Sequence, residues 1–525
     1  MIPLAQLRRS VRDALGYLRG QPDVTEAEVF AADNNNLTVR LNYTSHIPSN
    51  GVEEPKSLEA FGLGVRVALA TPQGTKSGFG SETADLSLGG VQRALEKARK
   101  GAVLDQEFIS LPTPALHGPT LRGYHDPALM RATGNGLVKL GWRTLEGALD
   151  VFNSSEELLD LAGSPEQLPR QGLILGGDVM ILQERMAIGS FHFHRVQTDE
   201  STILRSFATA MVERQEAKGT GFYISGCMDA AATAAGAEAA RNAIGGMGGV
   251  RVPTGVYNVV LGPQAVAEIL EWVLLPGLEL SSFYAGVSPF MGKMGALIAS
   301  PLLHLYDDGS LPGLAASKAI TDEGLPTGRT QLIENGELKG LLSNYYECQR
   351  MLRDPAGERK LGAPPERVKE AIAPRNGFRT GGGGGRNFDA PPGTTPTNLF
   401  LSTGEGKTTQ ELLEAVGDGL YIGRLWYTYP VNGITAGDFS GTVVADSFVI
   451  KGGRLAAPLR PNAVRLNDNV LSLIRNVLAI GKEPRGTVRW DSDQVTWAPE
   501  VAVKGLRVEE IGGSMEGVYA SQRGG

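Results

Sequence analysis

The chain is poor in the side chains that make metal centres recognisable. Its 525 residues include only two cysteines, Cys227 and Cys348, and six histidines. Two cysteines in opposite halves exclude a disulfide framework and a cysteine-rich zinc site, and they suit a reducing, cytoplasmic setting. Neither His-Glu-x-x-His nor His-Glu-x-x-x-His occurs anywhere. The one close histidine pair is His192 and His194. On a strand over 185–195 they would share a face, but two imidazoles fall short of the ligand set that a hydrolytic zinc takes. His46, His117, His125 and His304 are isolated and read as surface or core residues.

Long apolar runs are missing too. The most apolar stretch, residues 259–280, is broken by Pro263, Glu268, Glu271 and Pro276, so no segment reaches the ~20 apolar residues of a membrane span. Residues 1–20 lack the apolar core and small-residue cleavage site of a signal peptide. Leu4, Leu7, Val11, Leu15 and Leu18 instead recur at helical spacing, which predicts an amphipathic helix. A basic excess is absent as well: 50 Lys and Arg stand against 57 Asp and Glu, a net charge of -7. That argues against nucleic acid as a partner. No membrane or nucleic-acid partner is expected.

What is present is an ordinary globular composition, 42% hydrophobic and 20% charged, with 69 glycines. The length predicts two or more domains. Residues 24–32, 36–43, 61–70, 185–195 and 202–212 read as strands; 88–102, 127–152, 229–244 and 468–479 read as helices. The glycine cluster 245–249 reads as a linker, dividing an N-terminal α/β part, 1–245, from a β-rich part, 250–525. The fold class expected is α+β with two domains. Gly381 to Gly385, closed by Arg386, reads as a mobile loop at a cleft mouth. Gly404–Thr409 has the order of a phosphate loop, but Leu401 stands where its first glycine belongs. Thr408 or Thr409 as a helix N-cap, with Glu411 in the first turn, explains the same residues.

One stretch organises the second half: residues 303–346, LHLYDDGSLPGLAASKAITDEGLPTGRTQLIENGELKGLLSNYY. Asn335-Gly336 between two apolar-rich runs predicts a two-residue hairpin. The pattern DDG…DEGxPTxRTxLIExGxLKGxL resembles the TldD/PmbA family of metallopeptidase subunits. The strand with GLGVRV near residue 62 and the segment GLY…NGITAGDFSG…ADSFVIKGGRLAAPLR are similar to that family as well. The resemblance implies that the two parts are the family's N- and C-terminal domains.

It also implies where a metal should be. Catalytic members follow the strand that corresponds to 256–261 with His-Glu-x-x-x-His, and a distant cysteine adds a ligand. In such a site the histidines hold the ion and the glutamate takes a proton from bound water. The corresponding residues here run from Glu271 and Trp272 to Pro276, followed by Gly277-Leu278-Glu279. The family's cysteine-containing tail is replaced by residues 489–495. Trp and Pro cannot ligate, and carboxylates alone favour hard, weakly held cations. The resemblance therefore implies the PmbA/TldE-like branch: no metal or other cofactor in this chain, zinc or another divalent ion on a TldD-like partner, and a heterodimer acting on extended peptides.

The acidic turns at Asp307-Asp308-Gly309 and Asp322-Glu323-Gly324 carry further candidates. Asp307, Asp308, Asp322, Glu323, Gly324 and Thr327 could shape a substrate cleft. Equally, Asp-Gly and Glu-Gly turns use carboxylates to cap backbone N–H groups. No catalytic residue is assigned. A homodimeric, non-catalytic peptide-binding protein is the other function these observations allow.

Overall fold

A computed structural model of the chain describes residues 1–47, 51–113, 125–228, 230–380, 384–487 and 492–512. The fold is α+β, and the strands fall into three main sheets.

The first sheet is antiparallel and built from the N-terminal half. Its central strands run in the spatial order Gly74–Thr83, Lys56–Thr71, Val24–Thr44, Leu173–Ser190, Gln197–Val212, Ala217–Ser225. The expected strands 24–32 and 36–43 are one continuous strand of 21 residues. The polar run Asp33-Asn34-Asn35-Asn36 that suggested a break is paired on both sides, to residues 58–61 and 182–185. Leu173–Ser190 likewise begins twelve residues before the expected 185, through Gly176 and Gly177. His192 and His194 lie beyond its end, in a turn.

Helices cover one face of this sheet. Leu4–Arg19 packs through Leu7, Val11, Leu15 and Leu18, the residues whose spacing predicted it, and Leu88–Lys100 lies beside it. Gly134–Ser154 and Ala234–Gly245 cover the other end. The Ala-rich helix sits unusually close to its strand: a Cβ on Gly219 would meet Ala243 N at 2.1 Å. Only glycine permits that approach. Of the expected helix 229–244, Asp229 lies outside the described residues.

The C-terminal half carries the other two sheets. In one, Gly419–Pro430, Gly255–Leu261, Val501–Glu510, Val464–Asn469 and Asp438–Lys451 pair in sequence, and the last pairs back to the first. The closure removes strand edges that would otherwise be exposed. The expected helix 468–479 is shorter, Val470–Arg475, and gives way to the strand Val477–Ile480. Val477 and Ile480 are β-branched and pair with Val501–Glu510, so sheet pairing overrides helical spacing.

The remaining sheet runs Glu337–Leu338, Arg329–Glu334, His304–Asp308, Asn398–Ser402, Val495–Ala498, Arg485–Thr487. It contains the organising stretch. Asn335 and Gly336 have φ of +49° and +76°, the two left-handed residues of the expected hairpin. Thr408 caps the helix Thr409–Val416 in a reciprocal box with Glu411, which accounts for the phosphate-loop-like residues without a phosphate.

Buried ion pairs join the halves. Arg379 pairs with Glu28, Lys318 with Glu184, and Arg386 with Asp199. All six side chains are at most 7% exposed. Arg386 ends the glycine run, and its backbone N–H also donates to Glu184 at 2.9 Å. The C-terminal end of that run is thus anchored in the interior, in contrast to the expected mobile loop, because a buried guanidinium must keep its carboxylates. Gly381 to Gly383 lie outside the described residues.

Candidate functional site

The segment from Glu271 to Pro276 does not continue the preceding helix. Pro263–Ile269 is α-helical, Leu270–Leu274 is a π turn, and Leu275–Leu278 is a 3-10 turn that begins just before Pro276. Proline lacks the N–H that would extend the helix. π turns of this kind recur at functional sites, because the extra residue redirects the side chains on it.

Here they border a pocket of about 280 Å³. Glu271, Trp272, Pro276 and Glu279 form one wall, and Thr380, Thr394 and Thr395 another. Ser492, Asp493 and Gln494 come from the segment that stands in the family's cysteine-containing tail. The residues that sequence comparison put at the lost motif thus lie together, and the distant tail reaches them. Residues 489–491 of that tail lie outside the described residues.

Glu271 is 5% exposed, and both its oxygens are already used. Oε1 accepts from Thr496 Oγ1 at 2.5 Å and Oε2 from Gln494 Nε2 at 3.1 Å. Glu279 is half-buried; burial pushes its carboxyl up to about 7, against the smaller opposing effect of the Ser281 hydroxyl. Asp493 accepts the Gly385 N–H at 2.8 Å and faces Arg205 at 3.7 Å.

These donors do not fit a hydrolytic zinc ion. Such an ion takes three protein ligands, usually including imidazole or thiolate, and leaves a position open. The pocket offers carboxylates and hydroxyls, and its best-placed carboxylate is held by two protein donors. Among the described residues no group of three or more His, Cys, Asp or Glu is arranged to hold an ion. His192 stands away from this pocket, with Nε2 3.1 Å from Glu26. The sequence had given it no acidic neighbour, since Glu26 is distant along the chain.

The six cleft candidates from the acidic turns are interior. Asp307, Asp308, Asp322, Glu323 and Thr327 are each at most 6% exposed, and none of the six lines the pocket. Each carboxylate accepts a backbone N–H: Asp307 from Thr397 at 2.7 Å, Asp308 from Ser310 at 2.8 Å, Asp322 from Arg379 at 2.6 Å and Glu323 from Tyr345 at 2.8 Å. Burial pushes Asp307 and Glu323 up to about 7. The Thr327 hydroxyl donates to Lys318 O at 2.5 Å. At Gly324, φ +73°, a Cβ would meet the Phe193 ring at 2.3 Å. These are the backbone-capping turns that the sequence also allowed, and none of the six residues forms a wall of this pocket. Asp322 and Glu323 sit where the two halves meet, near Arg386 and Arg66, while Asp307 and Asp308 are bonded within the C-terminal half, to Thr397, Asn376 and Ser310.

Sequence reasoning missed Thr380, Thr394 and Thr395. No local signal marks them, since they reach the pocket only through the pairing of Asn398–Ser402 with Val495–Ala498 and the short ladder 377–394.

Residues 254–510 match the family described as PmbA/TldA metallopeptidase C-terminal domain. A metalloprotease of Synechocystis is 30% identical over 191 residues, 36% of this chain and 34% of that protein. A metalloprotease TldD homolog of Buchnera aphidicola is 27% identical over 246 residues, 47% of this chain and 45% of that protein. The match thus spans less than half the length of these curated relatives. The crystal structure of TldE from Thermococcus kodakarensis superposes with a TM-score of 0.72 at 15% identity, covering 95% of this chain and 100% of that one. At that identity the likeness establishes the fold.

Proposed function

The chain belongs to the TldD/PmbA family, of metallopeptidase type, and from that premise we propose that it is the partner half of a TldD/TldE-like peptidase. In this reading it carries no catalytic metal and forms a heterodimer with a TldD-like subunit that does. Together they degrade or process small unfolded peptides in the cytoplasm.

The observation that supports it is the donor set behind Glu271. A pocket is lined by Glu271, Trp272, Pro276 and Glu279, the residues that the resemblance sets against the family's metal motif, and both Glu271 oxygens are occupied by Thr496 and Gln494. Trp and Pro offer no lone pair to an ion, so Trp272 and Pro276 cannot hold a zinc ion or the water it would activate. What remains suits a different task. Hydroxyls and carboxylates facing a cavity can accept and donate to the backbone of an extended peptide, and such recognition tolerates varied side chains. No helix among the described residues is long and apolar enough to cross a membrane.

The test is co-expression with a homologue bearing His-Glu-x-x-x-His. The expected result is a stable complex that turns over unfolded peptides, with metal bound in the partner and neither chain active alone. Stoichiometric zinc held tightly by this chain in isolation would overturn the reading. So would a persistent homodimer that binds peptide and ignores every such partner.

A further inference from the structure

The pocket behind Glu271 holds one carboxylate whose chemistry the protein leaves incomplete. Glu271, Glu279 and Asp493 all line it, and among the described residues no Lys, Arg or His does. Glu271 accepts from Thr496 and Gln494; Asp493 accepts the Gly385 N–H and faces Arg205. Glu279 has less. Its Oε2 accepts the Ser281 hydroxyl at 3.3 Å, and its Oε1 accepts no hydrogen bond among the described residues. Glu279 stands just before the helix Leu280–Ala285, yet its side chain makes no capping bond there. The charge that acts on it is that of another acid, Glu347, which is itself held by Arg350 at 2.7 and 2.6 Å.

A carboxylate withdrawn from water is unfavourable unless a cation or several donors compensate it. Elsewhere in the molecule buried acids have that compensation from the protein, as Glu28 does from Arg379 and Glu184 from Lys318. Glu279 has neither an ion pair nor a cap, and burial with the Glu347 charge pushes its carboxyl up to about 7. It is not sealed in the interior, since it borders a cavity of about 280 Å³. A single water needs about 10–15 Å³ on this measure, so the cavity takes a side chain as well as backbone. Trp272, Leu275 and Pro276 lie on the same wall and offer apolar surface beside the carboxylate.

We propose that Glu279 selects ligands by binding an alkylammonium group of the peptide held in this pocket. The ammonium donates to Oε1 and supplies the missing counter-charge, a charge-assisted hydrogen bond. The methylene stem of such a group lies along Trp272, Leu275 and Pro276, as long cationic side chains do on apolar surface. The same group occurs on a lysine side chain and, without the long stem, at a peptide N-terminus. This inference rests on the reading that the pocket meets a peptide, and it does not depend on which subunit holds the metal.

Calorimetric titration of the full chain at pH 7.5 tests it with four short peptides: acetyl-alanyl-lysyl-alaninamide, its norleucyl and glutamyl counterparts, and trialaninamide with a free N-terminus. The lysyl peptide should bind about tenfold tighter than the norleucyl one, the gain expected of a charge-assisted hydrogen bond, and the glutamyl peptide should bind weakest. Tight binding of trialaninamide in place of the lysyl peptide identifies the N-terminus as the source of the ammonium. Glu279→Gln should bring the cationic peptide down to the level of the norleucyl one and leave the norleucyl affinity unchanged. Equal loss for both would show a structural role and overturn the assignment. Near-UV circular dichroism checks that the variant is folded; if it is not, the probe series on the parent chain decides, together with the weakening of cationic-peptide binding by added salt. Charge-blind binding of all four peptides would overturn the role of Glu279 and leave the peptide reading standing. Binding of none would overturn both.

Discussion

Arg386 gives the sharpest test of what holds the two halves together. It is 1% exposed, 2.7 Å from Asp199 and 3.0 Å from Asp322, whose side chains are both fully buried. It also donates to Ile320 O. Replacing it with methionine keeps most of the volume and removes the charge. Two carboxylates then lose a cation at contact distance, and keep the backbone N–H groups that Asp322 accepts from Arg379 and Asp199 from Glu200 and Ala319. Breaking one side of a buried pair typically costs about 3–5 kcal/mol, because the surviving charge is left desolvated. The cost should depend on pH. Burial already raises the Asp322 pKa above its ordinary value, although Arg386 opposes the rise, so removing Arg386 raises it further. A carboxyl whose folded pKa is raised binds a proton more readily folded than unfolded. Stability then grows as pH falls toward the unfolded pKa and is lost as pH rises through the folded one. The penalty of Arg386→Met should therefore be largest near pH 8 and shrink by pH 5. Urea unfolding followed by tryptophan fluorescence at the two pH values measures this. A loss below about 1 kcal/mol, or one equal at both pH values, would refute the claim that this guanidinium neutralises buried charge.

Gly336→Ala should destabilise the chain by roughly 1–3 kcal/mol, since its φ is +76° and a Cβ would meet Ala299 O at 2.4 Å; thermal unfolding reads this, and a neutral result would mean that the hairpin relaxes freely. Thr408→Ala should cost about 1 kcal/mol by removing the reciprocal cap with Glu411, and a chain as stable in urea as the parent would show the cap to be redundant. Glu279, pushed up to about 7 by burial, makes stability fall as pH rises from the ordinary carboxylate range to about 7. Glu279→Gln should flatten that slope, by about 2 kcal/mol once the half-buried side chain's solvent is allowed for; an unchanged pH–stability profile would place the titration elsewhere.

The parts of this fold that were legible in the sequence are those fixed by neighbours along the chain. Asn335-Gly336 needs only two left-handed residues, and both are there. Thr408 and Glu411 close a cap three residues apart. The leucines of the first helix bury one face at helical spacing. Glu271, Trp272 and Pro276, singled out by their spacing to the strand Gly255–Leu261, line one pocket. What escaped was decided by partners far away in sequence. Asp33-Asn34-Asn35-Asn36 has the composition of a loop, yet strands on both sides supply its hydrogen bonds. Asp322-Glu323-Gly324 has the composition of an exposed turn. Its carboxylates are buried because Arg386, some sixty residues on, and Arg66, in the first sheet, bring charge to them.

That difference also bears on how the site should be read. An acidic turn that was free to face substrate would be screened by water and cheap to keep. Here each carboxylate is desolvated and held by backbone N–H groups, so moving one to meet a substrate would cost the hydrogen bond and leave the donor unsatisfied. At the pocket wall the Thr380 and Thr395 hydroxyls bond only to each other, at 3.1 Å, among the hydrogen bonds of the described residues. The acidic turns therefore belong to the joint between the halves, and the pocket behind Glu271 is where we propose that a ligand is met.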